Sequence, residues 1–269
     1  MITTQTFPCN LPKEKADALN RESGRQYTAV LIEHYRVYRH TGHWLSANAN
    51  QKLGDFLTGT TLLTAHSRDA AQQGFSKACK TAKACRAAGL NVRYPYKRKL
   101  WRTTIWKNTG IRRKGNTLLL ARARGLEPIH VALPARLHCL SDKAFVEMRL
   151  VWDRASRHYT WHLVVEDGKV PAPSPGTEIA GVDLGEIHPA TASDGSESIV
   201  FSARELRSLS QQTQKRLAEI QALQSKKVIG SQRWLRLQKR KNRFLAQQKR
   251  RKRDIEHKVS RSVVDWAVE

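Results

Sequence analysis

No apolar run in this chain approaches the roughly 18 residues that a bilayer-spanning helix needs, so no membrane span and no membrane partner are expected. The N-terminus, "MITTQTFPCN", has neither a basic stretch nor an apolar core, and no secretory signal is read there. Cysteine is scarce: Cys9, Cys79, Cys85 and Cys139 include no CxxC pair. That argues against a zinc site or a redox dithiol and leaves idle thiols in a reducing cytoplasm. There is no internal repeat. The sharpest shortage is of negative charge, with 23 Asp and Glu against 48 Lys and Arg and a formal net charge of +25 over 269 residues. Such an excess repels itself on compaction and calls for a polyanion, with nucleic acid first among the candidates. Apolar residues, at 40%, suffice for a core, and the length allows roughly two domains.

The pattern along the chain changes twice. Residues 1–10 read as a short strand ending near Pro8. Residues 11–89 read as helical, with Pro12 in a first turn, a stop at Gly42, Ser46 as an N-cap and Gly89 as a C-cap. From 90 to about 170, "TTIWKN", "NTLLLA", "IHVALP", "FVEMRLVWD" and "HYTWHLVVED" read as short strands, with turns at Gly115-Asn116 and Asp167-Gly168. Strands at that spacing suggest a sandwich or small barrel. "GKVPAPSPGTE" reads as a linker. Beyond "SESIVFS" the chain is helical, one helix running from Ala203 to about Val228 and a second, capped by Ser231, from Gln232 on.

Positive charge gathers in two places. From Arg86 to Arg124 there are twelve Lys or Arg and no acid. Within it, Arg93, Lys97, Arg98, Lys99, Arg102, Lys107, Arg112, Arg113 and Lys114 are candidate phosphate contacts, and Trp101 and Trp106 candidate stacking partners. A single tryptophan is more often core, but twelve like charges without counterions would otherwise only cost stability. The second patch lies on the last helix, where Arg233, Arg236, Lys239, Arg240, Arg243 and Arg250 recur with almost no acid before Asp254. A helix lying against phosphates accounts for this better than a coiled coil, whose exposed face would mix both signs.

Between the patches stands "IAGVDLGEIHPATASDG". Ile179, Ala180 and Val182 read as an apolar strand containing one carboxylate, Asp183, and Asp194-Gly195 as the hairpin turn that follows. A strand carboxylate beside phosphate-binding surface suggests a Mg²⁺ ligand, since hard cations choose oxygen. An Asp before a Leu-Gly turn is, by itself, more often a turn former.

"GVDLGEIHPATASDG" resembles the first RuvC motif of the TnpB (OrfB) proteins and the compact type V CRISPR effectors. "RYPYKRKLWRTTIWKN" stands where that family often carries a basic, aromatic wedge segment. The resemblance implies an α+β fold: a wedge-like β-barrel (1–10 and 90–172), a helical recognition insertion (11–89), and the first part of an RNase H-like RuvC domain with long basic helices (177–269). It implies a guide RNA and a target DNA as partners, a nucleoid-associated bacterial cytoplasmic location, and a pair of Mg²⁺ ions in which Asp183 is the first catalytic ligand. Glu186 and His188 match no catalytic position. The family's later glutamate, its last aspartate and its CxxC pairs have no counterpart here; Glu205, Glu219 and Glu256 stand in helical patterns, and Glu269 reads as a helix end. One carboxylate cannot hold two metals, so the chain alone is expected not to cut DNA. It reads as part of a longer effector, as a shortened relative, or as one half of a site completed by a partner chain. From 177 onward an unpaired sheet edge and apolar surface are expected to lie exposed. Two other readings remain open: an RNA-guided binder without nuclease activity, acting as a repressor, and a generic basic RNA-binding protein.

Overall fold

The computed structural model describes all residues except Thr60, Arg154–Ser156, Asp167, Lys169, Pro171, Ala172, Ser174, Pro175, Glu186, Ile187 and Glu269. The turn at Asp167 and the readings of Glu186 and Glu269 therefore lie outside the described residues, as does much of the proline-rich linker. The chain divides into two units, Met1–Asp153 with Arg157–Pro171, and Ala172–Glu269 with the short segment Arg154–Ser156.

The first unit begins with strand β1 (Ile2–Pro8) and helices α1 (Lys13–Thr41), α2 (Ala47–Thr58) and α3 (Ala65–Ala87). The helix signals act as expected: Gly42 closes α1 in the left-handed region, and the Ser46 hydroxyl accepts from the Ala49 N–H to open α2. On α3, Ala71, Phe75, Cys79 and Ala82 recur at helical spacing and are buried. Phe75 packs with Tyr27, Val30 and Leu31 of α1 in a small helical core. Burying such a phenylalanine stabilises by about 1.5–3 kcal/mol. Burial also raises the Cys79 thiol to about 11, so it is inert at neutral pH.

Six strands follow: β2 (Thr104–Lys107), β3 (Ile111–Lys114), β4 (Thr117–Leu120), β5 (Ile129–Ala132), β6 (Phe145–Asp153) and β7 (His158–Glu166). They form two antiparallel sheets, β1-β7-β6-β2 and β3-β4-β5. β1 pairs along the whole of β7, Ile2 opposite Glu166 and Pro8 opposite Thr160. One core joins both sheets: Trp106, Leu150 and Trp161 from the first, Leu118, Leu120 and Val131 from the second.

The expected barrel does not form among the described residues. β2 is only four residues long. Its Thr104 N–H and hydroxyl donate not to another strand but to Asn20 Oδ1 of α1, at 2.9 and 2.8 Å. Asn20 Nδ2 donates in turn to Leu150 O of β6 at 3.2 Å, so this helix side chain bridges the end of the β2–β6 pair, and the two sheets remain an open pair backed by helices.

The second unit has strands β8 (Gly181–Asp183), β9 (Ala190–Ser193) and β10 (Ser198–Phe201), antiparallel in the order β10-β9-β8. The Asp194-Gly195 turn links β9 to β10 as expected: Asp194 Oδ1 accepts from the N–H groups of Ser196 and Glu197 at 2.8 and 2.7 Å. Those bonds to the charged form hold its carboxyl below the usual range. Helices α4 (Arg204–Ser225) and α5 (Gln232–Trp266) follow, tied by Gln224 Nε2 donating to Gln238 Oε1 at 2.8 Å. Ser231 caps α5 through the Trp234 N–H. The core here is thin: among the described residues, Ala190, Ala192, Ala203 and Ile220 are its buried apolar residues.

Candidate functional site

The basic stretch from 90 to 103 has no helix or strand of its own. It is a strap laid antiparallel along α1 and held through its backbone. Tyr35 donates its hydroxyl to Pro95 O at 2.9 Å, and Thr28 both donates to Lys99 O and accepts from Lys99 N, at 3.0 and 2.9 Å. Ser23 donates to Thr103 O at 3.2 Å, and the Arg102 N–H donates to Asn20 O at 2.9 Å. The lengths agree: 12 helical residues from 23 to 35 rise about 18 Å, and eight residues from 95 to 103 span at most about 26–29 Å fully extended. Gly24 is required at the closest approach, because a Cβ there would lie 2.6 Å from Lys99 O and 2.7 Å from Trp101 N.

Tying the strap by its backbone frees its side chains, and they divide sharply. Arg93, Lys97, Arg98 and Lys99 are exposed, as is Tyr96, with Lys97 Nζ 5.9 Å from its ring centroid. The later residues turn inward. Trp106 is only 1% exposed, donates Nε1–H to Ala121 O at 2.8 Å and meets Trp161 edge-to-face; it is core and cannot stack on a base. Trp101 packs against the same core, with the Arg21 guanidinium 5.4 Å from its ring centroid. Arg102 lies over Tyr27 at 4.9 Å, in the space that a Cβ on Gly74 would fill; burial lowers its pKa and withdraws it from phosphate. Lys107 is half-buried and donates to Gln73 Oε1 at 3.3 Å.

On β3 the strand alternation makes the same division. Arg112 and Lys114 are exposed, whereas Arg113 spends its donors on Gly115 O, Leu140 O and His138 O. Arg113 is therefore a structural clamp on the 135–144 segment and not a free cation. Asn20, Ser23, Gly24 and Thr28 were not legible as positioning residues. Their only signal is a line of small and polar residues on a helix face where apolar residues would ordinarily stand.

In the second unit, Arg233, Arg236, Lys239, Arg240, Arg243 and Arg250 are all exposed, and none has an ion-pair partner among the described residues. Five of them, with Phe244, line one shallow face of α5. From Arg236 to Arg250 that face runs about 21 Å. The acids of α5 come later and pair locally, Asp254 with Lys258 and Asp265 with Arg261, both at 2.8 Å.

Asp183 ends β8, opposite Thr191. All three residues of β8 are exposed, so the apolar strand expected there is not buried. β8 pairs with β9 alone among the described residues, which leaves its other edge open. Beside it lies a groove of about 900 Å³ lined by Val182, Leu184, Leu206, Val259 and Val263. Leu184 is 78% exposed and Ile179 87%. The unpaired edge and exposed apolar surface anticipated from 177 onward are both present. Just after Asp183 the Gly185 N–H donates to His188 O at 3.2 Å, and a Cβ on Gly185 would meet that oxygen at 2.9 Å. No group of three His, Cys, Asp or Glu that could hold a metal ion occurs among the described residues. The donor set at Asp183 thus does not fit the Mg²⁺ pair, and no cleavage step follows from it. Nor is any helix among the described residues long and apolar enough to cross a membrane.

Fold and surface together define a two-unit α+β protein with exposed cations, unpaired among the described residues, on a strap and on a long helix. Residues 162–269 match the OrfB_IS605 family, described as a probable transposase. Among solved structures, the chain is similar to the protein of a Cas12f1–sgRNA–target DNA complex, with a TM-score of 0.60 at 11% identity over 96% of this chain and 63% of that one. A CRISPR-Cas12f ternary complex aligns over 82% of this chain and 55% of the other, at 13% identity and a TM-score of 0.40. No curated protein matches. The resemblance to the TnpB proteins and compact type V effectors is borne out, and the chain spans 63% of the first solved relative's length.

Proposed function

We propose that this chain is the nucleic-acid-binding portion of an RNA-guided DNA-targeting protein, in which residues 177–269 begin an RNase H-like, RuvC-type domain. The observation that carries this reading is the α5 face. Five exposed cations, unpaired among the described residues, line about 21 Å of helix inside the segment that matches the transposase family. A self-repelling row of that kind is stabilised by phosphates and by little else. The strap adds a second such surface in the first unit. Base pairing by a guide would then supply sequence, while the protein grips backbone.

Asp183 is the residue we assign to a metal site whose remaining carboxylates come from beyond the described residues, in cis or from a partner chain. The open edge of β8 and its apolar groove support this, because a further strand paired there would cover both. A second reading, a binder that targets without cutting, rests on Asp183 standing alone among the described residues at that site.

Sequencing the RNA that co-purifies with the chain tests the proposal. One defined species with a constant region and a variable end is expected. A bulk mixture of ribosomal and transfer RNA fragments would instead make this a generic basic RNA-binding protein.

A further inference from the structure

The helices of the first unit carry another cationic surface, built on lysines of α3. A groove of about 570 Å³ lies between the α1–α2 turn and α3. Lys77, Lys80 and Lys83 line it, spaced three apart on α3 and so about 4.5 Å apart along its axis. All three are exposed and have no ion-pair partner among the described residues. Among the described residues no Asp or Glu lines the groove.

Its aromatic lining is Trp44 and Tyr94, ring centroids 4.8 Å apart. Trp44 is also braced by His34 at 4.4 Å and Tyr38 at 5.4 Å. His34 is fixed in turn, its Nδ1 3.0 Å from Asn50 Oδ1, and burial lowers its pKa towards the neutral imidazole. Yet Trp44 remains 42% exposed. An indole held on several sides and left uncovered has little freedom to lose when a flat partner stacks on it. The Arg86 guanidinium, 5.5 Å from the Tyr94 ring centroid, extends the positive field. Asn48, Gln51 and Ser76 add uncharged donors and acceptors to the same lining.

We propose that this groove binds unpaired nucleotides of single-stranded RNA. A base stacks on the Trp44–Tyr94 wall, phosphates lie along the lysine row, and the amides meet base edges and the 2′-hydroxyl. The charge complementarity selects a polyanion, and the exposed aromatic wall selects one with flat rings. The inference rests on the reading of the chain as an RNA binder and adds a site to it.

The test uses the full chain with an RNA octamer of uridines carrying 5-iodouridine. Photocrosslinking is expected to place adducts on Trp44 or Tyr94. By fluorescence anisotropy, replacing Lys77, Lys80 and Lys83 together by glutamine is expected to weaken binding about ten- to a hundred-fold near 0.1 M salt and to reduce the salt slope by about 2. These lysines are exposed, so the variant keeps its fold, which circular dichroism checks; Trp44→Ala is the companion variant. If the lysine variant titrates like the wild type while one lacking Lys97, Arg98 and Lys99 is weakened, and no adduct forms in the groove, the groove proposal fails and RNA binding stands. If the wild type does not bind the octamer, both fail. Equal affinity for a thymidine octamer overturns the assignment to RNA.

Discussion

Replacing Arg236, Lys239, Arg240, Arg243 and Arg250 together by glutamine is expected to weaken nucleic-acid binding on the order of 10⁴-fold near 0.1 M salt, without lowering the thermal midpoint. Each phosphate contact contributes about 0.7–0.9 to the slope of log K against log salt, so five contacts account for a slope of about 3.5–4.5. The same arithmetic gives the loss in affinity, because these contacts vanish as the salt approaches 1 M. Stability should not suffer: the five side chains are exposed, with no ion pairs among the described residues to lose, and removing them relieves mutual repulsion. Titrations at several salt concentrations read both quantities. An unchanged slope would mean that α5 faces solvent in the complex and that its cations serve only solubility.

Gly24→Ala is expected to destabilise the first unit by about 2 kcal/mol, although alanine is the better helix former by about 1 kcal/mol. The new methyl would stand 2.6 Å from Lys99 O and 2.7 Å from both Leu100 C and Trp101 N. These are backbone atoms of the strap, which cannot rotate away as a side-chain end can. The strap is also fastened on either side, at Thr28 and Ser23. A drop of about 4–8 °C in thermal midpoint corresponds to that loss for a unit of this size. Nucleic-acid affinity should fall with it, since Lys97, Arg98 and Lys99 ride on the displaced segment. Gly74→Ala is the informative comparison. Its Cβ would meet only the Arg102 guanidinium, the far end of a flexible side chain, and should cost less. If both variants melt like the wild type, the strap is not seated on α1 as described.

Much of this architecture was legible because its signals are local. β6 and β7 show nine residues each of strand patterning, and the caps at Gly42, Ser46 and Ser231 act within one turn. The hairpin at Asp194-Gly195 needs no partner outside itself. β3, "IRRK", was not legible, since three of its four residues are cations and only pairing with β4 makes it a strand. The end of the β2–β6 pair is bridged by Asn20, 84 residues before Thr104 in the sequence. No periodicity announces such a contact.

The candidate site shows the same limit. Twelve cations in one stretch give the sign of a partner, but they do not say which side chains face it. Trp106 and Arg113 looked like Trp101 and Arg112 in composition; burial alone separates a core indole from a half-buried one and a clamped guanidinium from a free one. Asp183 was legible as a strand carboxylate before a Gly185 turn. Its exposure was legible only as the open edge expected from 177 onward, because it depends on what pairs with β8.

In the function we propose, RNA directs this protein to DNA while the protein itself holds backbone, and Asp183 belongs to metal chemistry. The most direct measurement is DNA binding by the chain loaded with one RNA and then with a second RNA of different variable sequence, in wild type and in Asp183→Ala. The account predicts that the bound DNA changes with the RNA, and that both proteins bind each matched DNA with the same affinity. DNA binding that ignores the RNA sequence, or that is lost in Asp183→Ala, would contradict it.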